Sequence, residues 1–266
     1  MKFKVSIILF ILVAVALTGY GLKSSVFPPT QAEANRKELL IYCGITMIQP
    51  MSEIASIIEQ QEQVKISIIK GGSGNLLKSI KFNQVGDLYL PGSESYIQQA
   101  KAESLIVETV HVGFNQAAMM VQKGNPRAIK ADLNALTETN NYVVIGNPES
   151  GSIGKETKKI LTSALLFDDV MSNAREMTTD SKRLIEVLRK GEADLVINWY
   201  ATARWPENIA YVDTLMIDEQ YAKKKNLILA LLSSSRYPDI ARKFMDYAAS
   251  EQGRSIFNKY GLYTIN

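Results

Sequence analysis

The chain is poor in the residues that build catalytic and metal centres. Its 266 residues include one cysteine, Cys43, and one histidine, His111. A single cysteine excludes an internal disulfide and any cysteine-cluster metal site, and a single histidine leaves little material for a histidine-based metal centre or catalytic triad. Paired-carboxylate and nucleophile–base motifs are also missing from the sequence. We therefore expect no enzyme activity, no metal centre and no cofactor.

The chain also has little excess charge of either sign. The 30 lysines and arginines against 27 aspartates and glutamates give a formal net charge of +3, and the one basic run, Lys223–Lys225, is typical of a solvated loop. Nucleic-acid binders concentrate positive charge on one face, so we expect no nucleic-acid partner. The 46% hydrophobic content is ordinary for a globular protein with its own core, arranged as one large or two modest domains.

Long apolar runs are absent except for one near the N-terminus. Lys2 and Lys4 precede the apolar run Val5–Leu17, and small residues follow it. This order is typical of a secretory signal, and the run is shorter than the roughly 20 apolar residues that span a membrane. We expect residues 1–23 to be a signal peptide or an uncleaved N-terminal anchor and residues 24–37 to be a linker. The protein is then periplasmic or extracytoplasmic, and membrane-tethered if the segment stays attached.

Beyond this segment, short apolar runs alternate with helical patterns. Leu39–Tyr42 and Val64–Ile69 predict buried strands, and each is followed by apolar residues at helical spacing. Strands that alternate with helices predict parallel sheets with helices on their faces. We expect an α/β protein of two lobes, with lobe I formed by residues 38–115 and 227–266 and lobe II by residues 116–226.

Three predicted strands end in a small, glycine-rich turn that leads into a helix. These turns lie in the segments Tyr42–Thr46, Gly71–Asn75 and Asn147–Gly154. Ligands of open α/β sheets bind beyond the carboxyl ends of strands, where helix N-termini offer unpaired N–H groups and a partial positive charge. One such turn is typical of an ordinary helix cap, but three together predict an anion site without a charged side chain. The Lys-Ser/Thr pair of a nucleotide phosphate loop is missing, which argues against a nucleotide site.

The turns and their order resemble the periplasmic molybdate-binding proteins of bacterial ABC importers. The resemblance runs from about Leu39 to Tyr263 and rests on the segments LLIYCGITM, GGSGNLLKSI, GDLYLPGS, VIGNPESGSIGKETKKIL, ADLVINWY and SEQGRSIFNKYGLY. It implies the type II periplasmic binding protein fold, with a ligand cleft between the two lobes. It also implies a small oxyanion as ligand and an ABC transporter permease in the membrane as partner. We expect the binding protein to be a monomer.

The resemblance further implies which residues bind the ligand. They are the hydroxyl residues Thr46 and Ser73, Gly74 beside Ser73, the backbone N–H groups of Ile153 and Ser181, and Trp199 or Tyr200. The last two compete because the family's tyrosine ligand aligns with Trp199, while Tyr200 follows directly. Arg204, just beyond, is expected to be an exposed helix residue or, alternatively, a charged clamp on the ligand.

The donors in these turns favour a ligand that carries no proton. Molybdate, tungstate and sulfate are fully ionised at neutral pH and need donors only, whereas phosphate carries a proton and benefits from an acceptor. The sequence therefore predicts a molybdate- or tungstate-binding protein of an ABC importer. The alternatives are a binding protein or a sensor module for another small anion, such as sulfate, thiosulfate, a phosphonate or a carboxylate.

Three polar residues outside these turns are expected to have structural roles. Asp87 precedes a short strand and is predicted to cap a strand end or a loop. His111 lies near the predicted crossing between lobes and is predicted to be a surface or hinge-strand residue with satisfied hydrogen bonds. Cys43 is predicted to be a small buried residue and no nucleophile.

Overall fold

The computed structural model describes residues 36–262. This part of the chain forms two five-stranded sheets covered by helices, which are the two lobes of an α/β protein. The predicted signal or anchor at residues 1–23, and the predicted linker at 24–37 apart from its last two residues, lie outside the described residues. Between residues 36 and 262, every helix is too short or too polar to cross a membrane.

Lobe I contains the first sheet. Its strands are β1 (Glu38–Gly44), β2 (Lys65–Gly71), β3 (Leu88–Leu90), β4 (Ile106–Asn115) and β10 (Lys225–Leu232), in the order β2-β1-β3-β10-β4. Its helices are α1 (Ile48–Glu62), α2 (Ser73–Asn83), α3 (Glu94–Ala102), α8 (Pro238–Ala249) and α9 (Glu251–Lys259). A short 3-10 turn at Ile45–Met47 precedes α1.

Lobe II contains the second sheet. Its strands are β5 (Ala117–Gln122), β6 (Val143–Gly146), β7 (Glu176–Thr178), β8 (Leu195–Trp199) and β9 (Val212–Met216), in the order β7-β6-β8-β5-β9. Its helices are α4 (Ser152–Ser163), α5 (Phe167–Asn173), α6 (Ser181–Arg189) and α7 (Tyr200–Ala203), and a 3-10 turn covers Leu133–Leu136.

Both sheets are mixed, so the predicted parallel pairing holds for only part of each sheet. In lobe I, β1 pairs in parallel with β2 and β3, whereas β10 is antiparallel to β3 and β4. In lobe II, β6 pairs in parallel with β7 and β8, whereas β5 is antiparallel to β8 and β9. Both antiparallel strands begin directly after the chain has crossed from the other sheet. Apolar periodicity reports a strand's burial and says nothing of its direction.

The apolar patterns form the expected cores. Along β1, Leu39, Ile41 and Cys43 belong to the cluster on one face of the lobe I sheet, whereas Tyr42 belongs to the cluster on the other face. This alternation follows from the two-residue period of a strand. In lobe II, the first five residues of β5 are buried, as expected for a strand with both faces covered.

Two crossings join the lobes. The chain leaves the first sheet after Asn115 and enters the second at Ala117, and it returns between Met216 and Lys225. Between them, the Gln116 side chain donates a hydrogen bond to the carbonyl of Ala222, with Nε2 and O 3.4 Å apart. The two crossing segments are therefore tied together, and the ends of β1, β2 and β6 lead into helices that begin beside the cleft.

Candidate functional site

A small cavity lies between the lobes where helices from both begin. The empty space in it, including the open solvent at its mouth, is about 230 Å³. Its lining consists of residues from five turns: Gly44, Ile45, Thr46, Gly71, Gly72, Ser73, Gly92, Gly151, Ser152, Ile153, Asp180 and Ser181. The first seven belong to lobe I and the last five to lobe II, so a ligand in this cavity is held by both lobes.

On the lobe I side, two glycines stand at helix starts. Gly44 precedes the 3-10 turn before α1, Gly72 precedes α2, and neither start has a side-chain cap. The first-turn N–H groups of a helix have no partner inside the helix, so here they remain available to a ligand. Thr46 is buried, and within residues 36–262 its hydroxyl has no hydrogen-bond partner.

On the lobe II side, α4 and α6 begin at the cavity with different caps. Gly151 precedes α4 and gives it no side-chain cap. Asp180 precedes α6, and its Oδ1 accepts hydrogen bonds from the backbone N–H groups of Lys182 and Arg183, at 2.9 and 3.2 Å. The N–H groups at the start of α4 are thus open to the cavity, while Asp180 occupies those of the second and third residues of α6.

Two serine hydroxyls of the lining are already held by fixed donors. The Ser73 Oγ accepts a hydrogen bond from the Gly92 N–H at 3.0 Å, and the Ser152 Oγ accepts one from the indole Nε1 of Trp199 at 3.2 Å. The Ser73 carbonyl also accepts a bond from the Tyr89 hydroxyl at 2.8 Å, and burial raises the pKa of Tyr89, which keeps that hydroxyl a donor. Both serine protons lack a protein acceptor within the described residues.

The lining contains a single ionisable side chain, that of Asp180. Lysine and arginine do not occur among the lining residues. The sequence predicts an anion site without a charged side chain, and Asp180 corrects this prediction. It lies outside the three glycine-rich turns and enters the lining as the cap of α6, which begins at Ser181. Both carboxylate oxygens already have donors, since Oδ2 also lies 3.4 Å from the Thr179 hydroxyl.

Close packing of glycines brings the two lobes into contact. A Cβ at Gly72 would lie 2.5 Å from the Ser150 carbonyl oxygen and 2.9 Å from that of Thr179, both in lobe II. A Cβ at Gly92 would lie 2.3 Å from the Ser152 Oγ. These separations are shorter than any side chain tolerates. The lobes therefore stand in a closed arrangement that these two glycines permit.

Four of the residues that the sequence implicated line the cavity, namely Thr46, Ser73, Ile153 and Ser181. The other three do not. Gly74 faces the opposite lobe, where its Cβ would lie 3.2 Å from the Glu149 carbonyl oxygen. Trp199 is fully buried behind Ser152, and Tyr200, the first residue of α7, donates its backbone N–H to the Gln116 carbonyl at 2.8 Å.

Sequence reasoning missed Gly92, Ser152 and Asp180 as lining residues. Ser152 stands next to Ile153 in a turn that had been singled out, so its hydroxyl was available as a signal. Gly92 lies in the quoted GDLYLPGS segment, but only its contact with Ser152 across the cleft gives it a role.

The residues expected to be structural have structural contacts. Asp87 accepts hydrogen bonds from the N–H groups of Leu40 and Arg236 and from the Ser235 hydroxyl. His111 pairs through Nε2 with the Asn226 Oδ1 at 3.0 Å, but its buried Nδ1 has no partner within residues 36–262, so the prediction of satisfied hydrogen bonds is wrong for that nitrogen. Cys43 is completely buried, and burial raises the pKa of its thiol, which disfavours the nucleophilic thiolate.

Arg204 stands at the end of α7, is exposed and lies outside the cavity lining. A Cβ at Gly261 would meet its side chain at 2.8 Å, so Arg204 packs towards the C-terminal segment. In this arrangement it does not clamp a ligand in the cavity.

Two basic grooves flank the cavity at the lobe boundary. The first, with about 990 Å³ of empty space, is lined by Lys78, Lys81, Lys155 and Lys158 against two glutamates, Glu103 and Glu149. The second, with about 740 Å³, is lined by Lys155, Lys159, Lys224 and Lys225 against Glu94 and Glu156, and it shares Ser152 with the cavity. Both approaches to the cavity therefore carry an excess of positive charge.

Comparison with known proteins supports a binding role. The family model of the bacterial extracellular solute-binding proteins matches residues 39–263. A Haemophilus influenzae protein named as a binding protein is 24% identical over 224 residues, covering 84% of this chain and 90% of its own. YvgL of Bacillus subtilis, named as an ABC transporter substrate-binding lipoprotein, is 24% identical over 227 residues, covering 84% of this chain and 85% of its own.

Solved structures share the fold at low sequence identity. The periplasmic molybdate-binding protein of Azotobacter vinelandii superposes with a TM-score of 0.75 at 14% identity, covering 86% of this chain and all of its own. The periplasmic binding protein AfuA of Actinobacillus pleuropneumoniae, with fructose 6-phosphate bound, superposes with a TM-score of 0.71 at 21% identity, covering 85% and 83%. These likenesses confirm the predicted two-lobed type II binding-protein fold, and the ligands of the two proteins differ.

Proposed function

The chain belongs to the bacterial extracellular solute-binding proteins, which are binding proteins of ABC importers and not enzymes. We propose that its ligand is a tetrahedral oxyanion, and that molybdate or tungstate is the preferred one. The observation that carries this proposal is the meeting of uncapped helix starts and serine and threonine hydroxyls around one small cavity without a basic side chain.

Neutral donors suit a doubly charged oxyanion. Each oxygen of such an ion accepts hydrogen bonds, and hydrogen bonds to a charged group contribute about 1.5–3 kcal/mol each. Helix N-termini add a favourable field for negative charge. Because the closed lobes exclude water, these bonds act in a medium of low polarity, where they are stronger. The cavity thus stabilises the negative charge of a bound anion without a salt bridge.

The state of Asp180 supports an oxyanion without a proton. Phosphate at neutral pH carries at least one proton and gains from an acceptor in its site. Asp180 is the one carboxylate in the lining, and its oxygens already accept bonds from Lys182, Arg183 and Thr179. The existing bonds weaken Asp180 as an acceptor for a ligand proton, whereas molybdate, tungstate and sulfate need no acceptor.

A second candidate is a small organic anion that carries an oxyanion group at one end. The second basic groove favours it, because that groove shares Ser152 with the cavity and contains four lysines. An organic tail with its own negative charge would extend from the cavity into this groove. The fructose 6-phosphate of AfuA shows that a protein of the same fold holds such a ligand.

A thermal-shift panel separates these ligands. At a concentration a hundred times Kd, a ligand that binds only the folded state stabilises it by about 2.7 kcal/mol, which raises the Tm of a domain of this size by about 5–11 °C. We expect this shift with molybdate and tungstate and little shift with phosphate, relative to sodium chloride at equal ionic strength. A shift with phosphorylated sugars or carboxylates and none with molybdate would favour the second candidate.

We also propose that residues 1–23 direct export. The motivation is the pair Lys2 and Lys4 before the apolar run Val5–Leu17, together with the extracellular family. After expression in a bacterial host, the protein should be recovered outside the cytoplasm, either shortened near residue 23 or intact and membrane-attached. Full-length protein free in the cytoplasm, identified by fractionation and N-terminal sequencing, would contradict export.

A further inference from the structure

Trp199 occupies the position at which the sequence resemblance implied a ligand-binding tyrosine, yet it does not line the cavity. The indole ring is fully buried, and its Nε1 lies 3.2 Å from the Ser152 Oγ. This separation is within the range of an N–H···O hydrogen bond. An indole nitrogen can only donate, so the Ser152 oxygen is the acceptor in this pair.

The groups around the Ser152 hydroxyl leave one side on which its proton can be donated. The indole N–H holds one lone pair of the oxygen, and the α-carbon of Gly92 closes another side, since a Cβ there would lie 2.3 Å from the Ser152 Oγ. Within residues 36–262 no protein group accepts the proton of this hydroxyl. The remaining side faces the cavity and the second basic groove, because Ser152 is part of the lining of both.

We propose that Trp199 is a positioning residue that fixes the Ser152 hydroxyl as a hydrogen-bond donor to the bound anion and so makes the cavity selective for oxyanions without a proton. This inference rests on the proposed function. A ligand oxygen completes the hydrogen bonding of Ser152 only if that oxygen is an acceptor. A P–OH or similar group facing Ser152 would leave the serine proton without a partner.

The same arrangement exists at Ser73, which supports the reading of the lining as a set of fixed donors. There the Gly92 N–H holds the serine oxygen at 3.0 Å. One residue, Gly92, therefore contacts both hydroxyls, one through its N–H and the other through its α-carbon. Asp180, the one carboxylate of the lining, already accepts three hydrogen bonds from protein donors, which makes it a weaker acceptor for a ligand proton.

A double-mutant cycle on the full binding protein tests whether Trp199 acts on the ligand through Ser152, which we call the Trp199–Ser152 relay. The variants are Ser152→Ala, Trp199→Phe and the double variant, each titrated with molybdate by calorimetry. We expect Ser152→Ala to weaken binding by about tenfold or more and Trp199→Phe by a few-fold. If Trp199 acts through Ser152, then Trp199→Phe has no further effect in the Ser152→Ala background.

Trp205→Phe is the matched control. Trp205 is the chain's other tryptophan, is also buried, and its Nε1 has no partner within the described residues. This substitution should change the molybdate Kd by less than about twofold, in line with the independence of distant sites. Melting curves without ligand show whether each variant is folded.

Selectivity provides the readout that packing alone would not change. In competition with bound molybdate, the excess of phosphate needed for half displacement should fall in Trp199→Phe by about fivefold, as expected for the loss of one oriented hydrogen bond. It should stay unchanged in Trp205→Phe. Additive losses in the cycle, or an unchanged phosphate excess in Trp199→Phe, would overturn the relay while leaving oxyanion binding intact. If the unaltered protein binds no tetrahedral oxyanion, the proposed function fails and the relay with it.

Discussion

Gly72→Ala should weaken ligand binding while both lobes stay folded. The added Cβ would lie 2.5 Å from the Ser150 carbonyl oxygen and 2.9 Å from that of Thr179. Both atoms are backbone atoms of lobe II, so the lobes must separate or two loops must shift. Overpacking of this kind costs about 1–3 kcal/mol, which corresponds to an affinity loss of about fivefold to 150-fold. Calorimetry with molybdate measures the loss, and small-angle scattering should show that the ligand no longer compacts the protein.

Gly71→Ala is the matched control for this variant. Gly71 precedes Gly72, and a Cβ there would meet the side chain of Leu76, in its own lobe, at 3.3 Å. Since that side chain can move and the opposite lobe is not touched, the ligand should still compact the protein. Gly71 also lines the cavity, so the affinity of this variant shows what a Cβ in the lining costs without a clash between the lobes. The Gly72 backbone is extended, with φ −65° and ψ 135°, so alanine fits its conformation. Unchanged affinity in Gly72→Ala would show that the cleft does not close as described.

Ser73→Ala is expected to weaken oxyanion binding by about tenfold to 150-fold, which corresponds to the 1.5–3 kcal/mol of a hydrogen bond to a charged group. The substitution removes the hydroxyl that faces the cavity. It also leaves the N–H of Gly92 without its 3.0 Å acceptor, so the ligand-free protein should melt a few degrees lower. Calorimetry gives the first effect and thermal unfolding the second.

Ser79→Ala separates these effects from the general loss of a helix hydroxyl. Ser79 lies on the same helix, α2, and its hydroxyl donates to the Asn75 carbonyl at 3.1 Å. It stands outside the cavity lining, so affinity and Tm should change little. Equal weakening in Ser79→Ala and Ser73→Ala would place the ligand elsewhere. A Ser73→Ala protein that binds normally but melts early would reduce Ser73 to a structural role.

The helix starts of the site could be predicted because their signals are local. A strand run, a glycine and a hydroxyl residue follow one another within a few positions, which selects the three turns. The family resemblance then points to Thr46, Ser73 and Ile153 within them. Ser181 also lines the cavity. Asp180, which caps the same helix, was missed because it became a lining residue only through the position of α6 beside the cleft.

The choice between Trp199 and Tyr200 shows where sequence reasoning stops. Adjacent residues at a strand end point in different directions, and the sequence does not say where the strand ends. The structure ends β8 at Trp199 and begins α7 at Tyr200. The indole then meets Ser152, a contact across the interior of lobe II that no local pattern reports.

The sequence by itself determined the fold class and the membership of a solute-binding family, and it predicted three turns as an anion site. Each of these depends on the order of residues along a short stretch: apolar period, glycine placement and helix caps. Only the tertiary structure decided which donors meet. The pairing of Gly92 with Ser73 and with Ser152, and the approach of Gly72 to Ser150, join segments far apart in the chain. The first depends on packing inside lobe I and the other two on how the lobes meet, and neither has a counterpart in local periodicity.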